Sequence, residues 1–187
     1  MTTPEPAGPL PGPVPALATL GLLAAWAVHD LEEVATMARW SRTRLPVLRE
    51  RHPGVPDGVW RRLEAVDGRE FAAAVGVMGA VVAAASAEGL RTGGRSGFYQ
   101  AALTGFGLHG LVHLAQSAAT RGYTPGVVTS PLVVVPFTLW ARSRLAHAGV
   151  LRPARVRDAV TGLAFAGAAT AAAHAVARCI LRGAPTR

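Results

Sequence analysis

The sequence predicts an all-α integral membrane bundle of about five transmembrane helices, folded as one domain. Three observations predict it. Of the 187 residues, 50% are hydrophobic and only 16% are charged, against about 25% charged in ordinary soluble domains. The charges cluster between apolar runs of roughly 17–27 residues, whereas a soluble helix alternates polar and apolar faces within each run. Each predicted helix also reaches about 20 residues, the length needed to cross a hydrocarbon core about 30 Å thick.

Residues 1–13 (MTTPEPAGPLPGP) are proline-rich and are expected to be disordered. They carry neither a basic n-region nor a small-residue cleavage site, so the first apolar run does not read as a cleaved signal. The first helix is predicted over Val14–Ala38. Its uncharged part, Val14 to Val28, is about 22 Å long as a helix and too short to span. Pro11, Pro13 and Pro15 block an earlier start. The helix must therefore run forward through HDLEE (His29 to Glu33) toward Trp40, an aromatic at the expected interface. The second helix is predicted over Glu70–Leu90 and the third over Phe98–Ala119. The fourth, Pro125–Leu145, is the strongest apolar run despite Pro131 and Pro136, which membrane helices tolerate when neighbours satisfy the freed carbonyls. The fifth, Val156–Leu181, is alanine-rich and the weakest. Residues 14–182 thus make one helical domain, followed by a tail at 183–187.

All 19 basic residues are arginine and the net charge is +8. Thirteen arginines fall in two loops and lack the interleaved aromatics of a base-stacking surface, which argues against nucleic acid. The expected partner is the lipid bilayer, and so short a chain is compatible with a homodimer. The predicted loop Arg39–Arg69, about 30 residues long, holds eight arginines and reads as cytoplasmic. This puts the N-terminus outside, most naturally in a plasma membrane. The dissent comes from the fourth loop, with Arg142, Arg144, Arg152, Arg155 and Arg157. The lone cysteine, Cys179, excludes an internal disulfide.

The functional signal is polar residues where lipid is expected. His29, Glu32 and Glu33 stand at i, i+3 and i+4 and share a helix face, which Gly21 and Ala25 extend; Asp30 projects about 100° away. An acidic group at a helix centre costs roughly 2.5–3.5 kcal/mol to insert, so these must face other helices, a cavity or a cation. The bland alternative is an interfacial helix end whose carboxylates pair with Arg39 or Arg42. On the third helix, Gly97, Ala101, Gly105, His109, His113 and Ser117 recur every four residues, and histidines at i, i+4 can address one metal ion. With alternating helix directions, Glu32, Glu33, Glu70, His109, His113 and His174 all fall in one slab of the bilayer. The prediction is a single enclosed polar chamber.

Four motifs occur in order: HDLEE, REF (Arg69 to Phe71), HGLVH (His109 to His113) and RGYTPGVVT (Arg121 to Thr129). Over about residues 16–145 the chain resembles the HXXEE-motif family of small multi-spanning membrane proteins. The resemblance implies that His29, Glu32, Glu33, Glu70 and His113 occupy family motif positions; His109 stands where members often carry asparagine. It supplies positions and no reaction.

Two or three histidines with glutamates from three helices suit zinc or one or two iron ions. In that reading His29, His109 and His113 are ligands, Glu33 and Glu70 bridge or chelate, and Glu32 is a ligand or the general base. The site would activate water or oxygen toward a lipid-soluble substrate. The alternative is a non-enzymatic protein using the same groups for proton relay or cation transport. Haem held by His113 and His174 leaves the glutamates unexplained. HDLEE is not HExxH, so protease chemistry gains no support.

Overall fold

The computed structural model describes residues 12–65, 67–153 and 156–183, without side chains for 156–166, 182 and 183. The proline-rich N-terminus, apart from residues 12 and 13, and the tail after Gly183 lie outside the described residues. The described chain is all-helical, with no strand among these residues.

α1 spans Ala16–Arg51, 36 residues, or about 54 Å at the standard rise. It starts where the prolines stop: Pro15 precedes the first turn and its carbonyl accepts from Ala18 N–H at 2.9 Å. It runs thirteen residues past the predicted end at Ala38, so the first half of the expected arginine-rich loop is helix. The reason is a second apolar stripe. Leu45 and Leu48 bury against Trp60 of α2 (Asp57–Glu64), with Trp40 and Val55 at the edge. Pro46 costs α1 one hydrogen bond, to the carbonyl of Arg42, at an exposed residue where water can replace it. Arg49 bridges Asp57 (2.7 Å) and Glu64 (3.4 Å). Such solvent-exposed pairs are screened by water and contribute little, so buried Trp60 is the main anchor of α2.

α3 (Gly68–Arg91) and α4 (Gly97–Thr120) lie within two residues of expectation. Each has a side-chain N-cap: Asp67 accepts from Glu70 N–H and Ser96 from Tyr99 N–H. The fourth predicted helix begins later than Pro125. Residues 125–128 form turns, a π-helical turn follows over Ser130–Val134, and α5 runs Val135–His147. Pro136 has no N–H to give, and just before it the ladder widens so that Val135 N–H reaches Ser130 O. α6 is Val156–Gly183.

The main core joins three elements. Ala18, Leu22 and Ala25 of α1 meet Tyr99, Leu103 and Phe106 of α4 and Val134, Ala141 and Leu145 of the α5 segment. Tyr99 OH donates to Ala18 O, deep inside. Small residues permit close approach, though not all those expected. A Cβ at Gly21 would meet Phe137 at 2.8 Å, at Gly107 Thr138 at 2.7 Å, and at Gly110 Val134 at 2.7 Å. Gly105, on the predicted small face of the third helix, faces open space. α6 packs on α3 and α4, burying Ala173 and Ala177 against Ala74.

At the end of the bundle opposite HDLEE, Gln100 ties two connections together. Its amide donates to Gly94 O and Val150 O, each at 2.8 Å, and its carbonyl accepts from Arg152 N–H at 2.9 Å. Gln100→Leu strands three backbone groups and is expected to destabilise the fold by about 2–3 kcal/mol. The thermal midpoint of Q100L against wild type under identical solution conditions tests this; equal midpoints would refute it.

Besides the apolar core, the described residues include buried ionisable groups and large apolar side chains left outside. Leu17, Leu31, Leu132, Leu139 and Ile180 are each more than half exposed, while His29, Asp30, Glu33, Glu70 and His113 are buried. Among the described residues one helix, Gly68–Arg91, is long and apolar enough by length and composition to cross a membrane. Five were expected. α1 and α4 fall short because HDLEE interrupts one, and Gln100, His109 and His113 the other.

Candidate metal centre

α1 and α4 each bring two side chains to one point. His29 and Glu33 sit one turn apart on α1, His109 and His113 one turn apart on α4. Each offers one ligand atom, and all four atoms lie within 4.8 Å of one another. The His109 and His113 Nε2 atoms are 2.9 Å apart, and Glu33 reaches them at 3.8 and 3.2 Å. These three separations, which involve both Glu33 oxygens, lie on either side of the ~3.4 Å edge of a tetrahedron with bonds of ~2.1 Å.

The group is enclosed on most sides. His29 is fully buried and Glu33 and His113 nearly so, while the His109 side chain remains 45% exposed and marks the opening. The His29 ring stands edge-on to Phe106, centroids 6.0 Å apart, so the apolar core closes one end. Neither Glu32 nor Glu33 pairs with a loop arginine among the described residues. The bland reading of a solvated helix end therefore does not describe them.

Glu32 turns to the α4–α5 connection. It accepts from Tyr123 OH (2.8 Å), Val128 N–H (3.3 Å), Thr129 N–H (2.8 Å) and Thr129 OH (2.7 Å). Burial pushes the Tyr123 phenol above its usual value, which keeps it a donor. With four donors aimed at it, Glu32 acts only as an acceptor. The Thr129 hydroxyl proton goes to Glu32, so its oxygen accepts from His29 Nδ1–H at 2.7 Å. That assigns the His29 tautomer: Nε2 carries the lone pair, is buried and has no hydrogen-bond partner among the described residues. Carboxylate-to-histidine chains of this type orient metal-binding imidazoles.

Gly126 makes the fit possible. Its φ is +82°, and a Cβ there would lie 2.8 Å from His29 Cε1 and 2.9 Å from His113 Nδ1. Gly126→Ala is expected to cost about 1–2 kcal/mol from its left-handed backbone alone, and more from overlap with both rings. A lowered thermal midpoint, with looser retention of any bound metal, checks this.

Of the residues singled out from sequence, His29, Glu33, His109 and His113 converge. Glu70 does not join them. It meets α6, with His174 Nδ1 and Arg178 Nη1 both at 2.9 Å from its Oε1. The polar slab is therefore two groups and not one chamber, because α6 packs along α3 and supplies Glu70 with its own partners. Glu32, expected as ligand or general base, instead supports His29 through Thr129. Asp30 lines a separate apolar recess between α1 and α3, of about 460 Å³. Thr129, Gly126 and Tyr123 were not singled out as site residues. They lie in RGYTPGVVT, whose Pro125 reads from sequence as the start of a helix.

A helical bundle holding a His/Glu group at metal-ligand spacing is the class that fold and site define. The family described as "Protein of unknown function with HXXEE motif" matches residues 20–141, well over half the chain, and the protein belongs to it. The motif is His29, Glu32 and Glu33 on α1. No curated protein and no solved structure matches the chain.

Proposed function

We propose that the protein is a membrane-embedded metalloprotein whose centre is His29, Glu33, His109 and His113, and that it acts as an enzyme on a lipid-soluble substrate. The observation that carries this is four ligand atoms within 4.8 Å, with the His29 Nε2 lone pair unpartnered inside. Three imidazoles and a carboxylate suit zinc or iron, and four donors fit one ion better than two. Such an ion supplies Lewis acidity. The protein's own share is to hold the imidazoles oriented, to exclude water with Phe106 and Gly126, and to admit substrate past His109.

Membrane embedding is supported by the apolar exterior and by buried ionisable groups, a distribution that suits lipid. The arginine-rich end of α1 and α2 then lies in the cytoplasm, and the N-terminus outside.

A second reading has one observation in its favour. Tyr123, Glu32, Thr129 and His29 form an unbroken hydrogen-bonded chain from an exposed phenol to a buried imidazole, which relays a proton when Glu32 takes one up and turns from acceptor to donor. Metal analysis decides between the two. Membranes washed with carbonate should retain the protein, and detergent-purified protein should carry about one transition-metal ion per chain. Protein that stays in the membrane without stoichiometric metal would favour the proton path.

A further inference from the structure

Beyond the polar group, toward the end where α1 leaves the bundle, lies a groove of about 560 Å³. Arg39 and Arg44 of α1 and Arg121 after α4 line it, with Trp40 and Tyr123, and no carboxylate does. Among the described residues none of the three arginines makes an ion pair. Three guanidinium groups around one space repel unless an anion sits between them, and a phosphate accepts their planar donors best.

The groove is built. Arg121 takes a left-handed conformation (φ 49°) to end α4. Gly122 has no Cβ, and one there would fall 2.7 Å from Arg44 Nη2. Trp40 Nε1 donates to Tyr123 O at 2.8 Å, locking the two walls together. The groove borders the candidate centre, because its wall residue Tyr123 donates through its phenol to Glu32. Along α1, Arg39 and Arg44 lie six and eleven residues beyond Glu33, roughly 9–17 Å.

We infer that this groove holds the phosphate of an amphiphile whose apolar part extends toward the His29 group, which makes the substrate class of the site a phosphorylated lipid. The inference rests on the proposed function for its second half; phosphate binding itself does not. A free phosphate offers the same oxyanion, so the experiment separates the two.

Full-length protein in neutral detergent is titrated with dihexanoyl phosphatidic acid, with inorganic phosphate and with dihexanoylglycerol. Wild type should bind the phosphatidic acid at least about tenfold more tightly than either other probe. The triple variant R39Q/R44Q/R121Q should lose about tenfold in that affinity or more, whereas R61Q/R62Q, on α2 and outside the groove, should stay within about twofold. T43W keeps every arginine but fills the groove, and should also lose binding. Metal content in the triple variant should equal that of wild type, which shows it folded and separates the groove from the centre. Equal affinity of wild type and triple variant would overturn the groove. Phosphate competing as well as the lipid would overturn the lipid. Absence of metal from all variants would overturn the metal reading while leaving the groove.

Discussion

Protein carrying both His29→Ala and His113→Ala should emerge from purification with less than about a tenth of the wild-type metal. The double change removes one ligand from each helix and leaves Glu33 facing only His109, itself half exposed. Two ligands cannot hold a transition metal against a mild chelator. His109→Ala alone should be milder, since it removes the donor at the opening. Glu33→Gln keeps the shape and loses the charge, so its loss should fall between the two. Because His29 fills a fully buried position, each variant is checked by helical content and monodispersity. His29→Gln, closer in size, supplies the second test: it should fold, keep part of its metal on the three remaining ligands, and give it up to a mild chelator. Wild-type metal levels in folded double variant would show that the ion, if any, sits elsewhere.

The second large effect is expected at Glu32, a residue that touches none of the four ligand atoms' pairings. Its carboxylate accepts four hydrogen bonds from the segment Tyr123–Thr129. Glutamine has one acceptor oxygen and a donating amide, so Glu32→Gln places an N–H against an N–H or O–H donor. Hydrogen bonds to a charged acceptor contribute about 1.5–3 kcal/mol each. Losing even two should loosen the segment that carries Gly126 over His29 and His113. Expected results are a clear drop in thermal midpoint and a metal affinity reduced about 10–100-fold, the range seen when a ligand's supporting partner is lost. Thr129→Val breaks the same chain at its middle, so E32Q/T129V should cost less than the sum of the single changes. Strict additivity would show that Glu32 and His29 are not coupled through Thr129.

The sequence made the helices legible because apolar runs bounded by arginine and proline carry length directly. α3, α4 and α6 end within two residues of expectation. α1 outruns its predicted end because arginines there suggest a loop, whereas Leu45 and Leu48 hold helical spacing and bury against Trp60. The sequence placed the fourth helix too early because Pro125 is a good first residue of a helix, while the need for Gly126 at positive φ arises only from two rings on other helices. The site was legible where one helix face carries two ligands, as at His29/Glu33 and His109/His113. Glu70 reads as part of it from its depth and from its place in the REF motif. Depth does not distinguish which neighbour a helix faces, and α6 claimed Glu70 through His174 and Arg178. The role of Glu32 is hidden for a related reason: i, i+3, i+4 spacing puts it beside Glu33, yet its carboxylate is taken up by hydroxyl and backbone donors 91–97 residues away.

X-ray absorption at the edge of the metal that copurifies with full-length protein tests the central claim most directly. Three nitrogen donors and one oxygen at about 2.0–2.2 Å, with one imidazole signal lost in H29Q, would fit His29, His109, His113 and Glu33. A spectrum with sulfur, with oxygen donors only, or with an imidazole count unmoved by H29Q would contradict it.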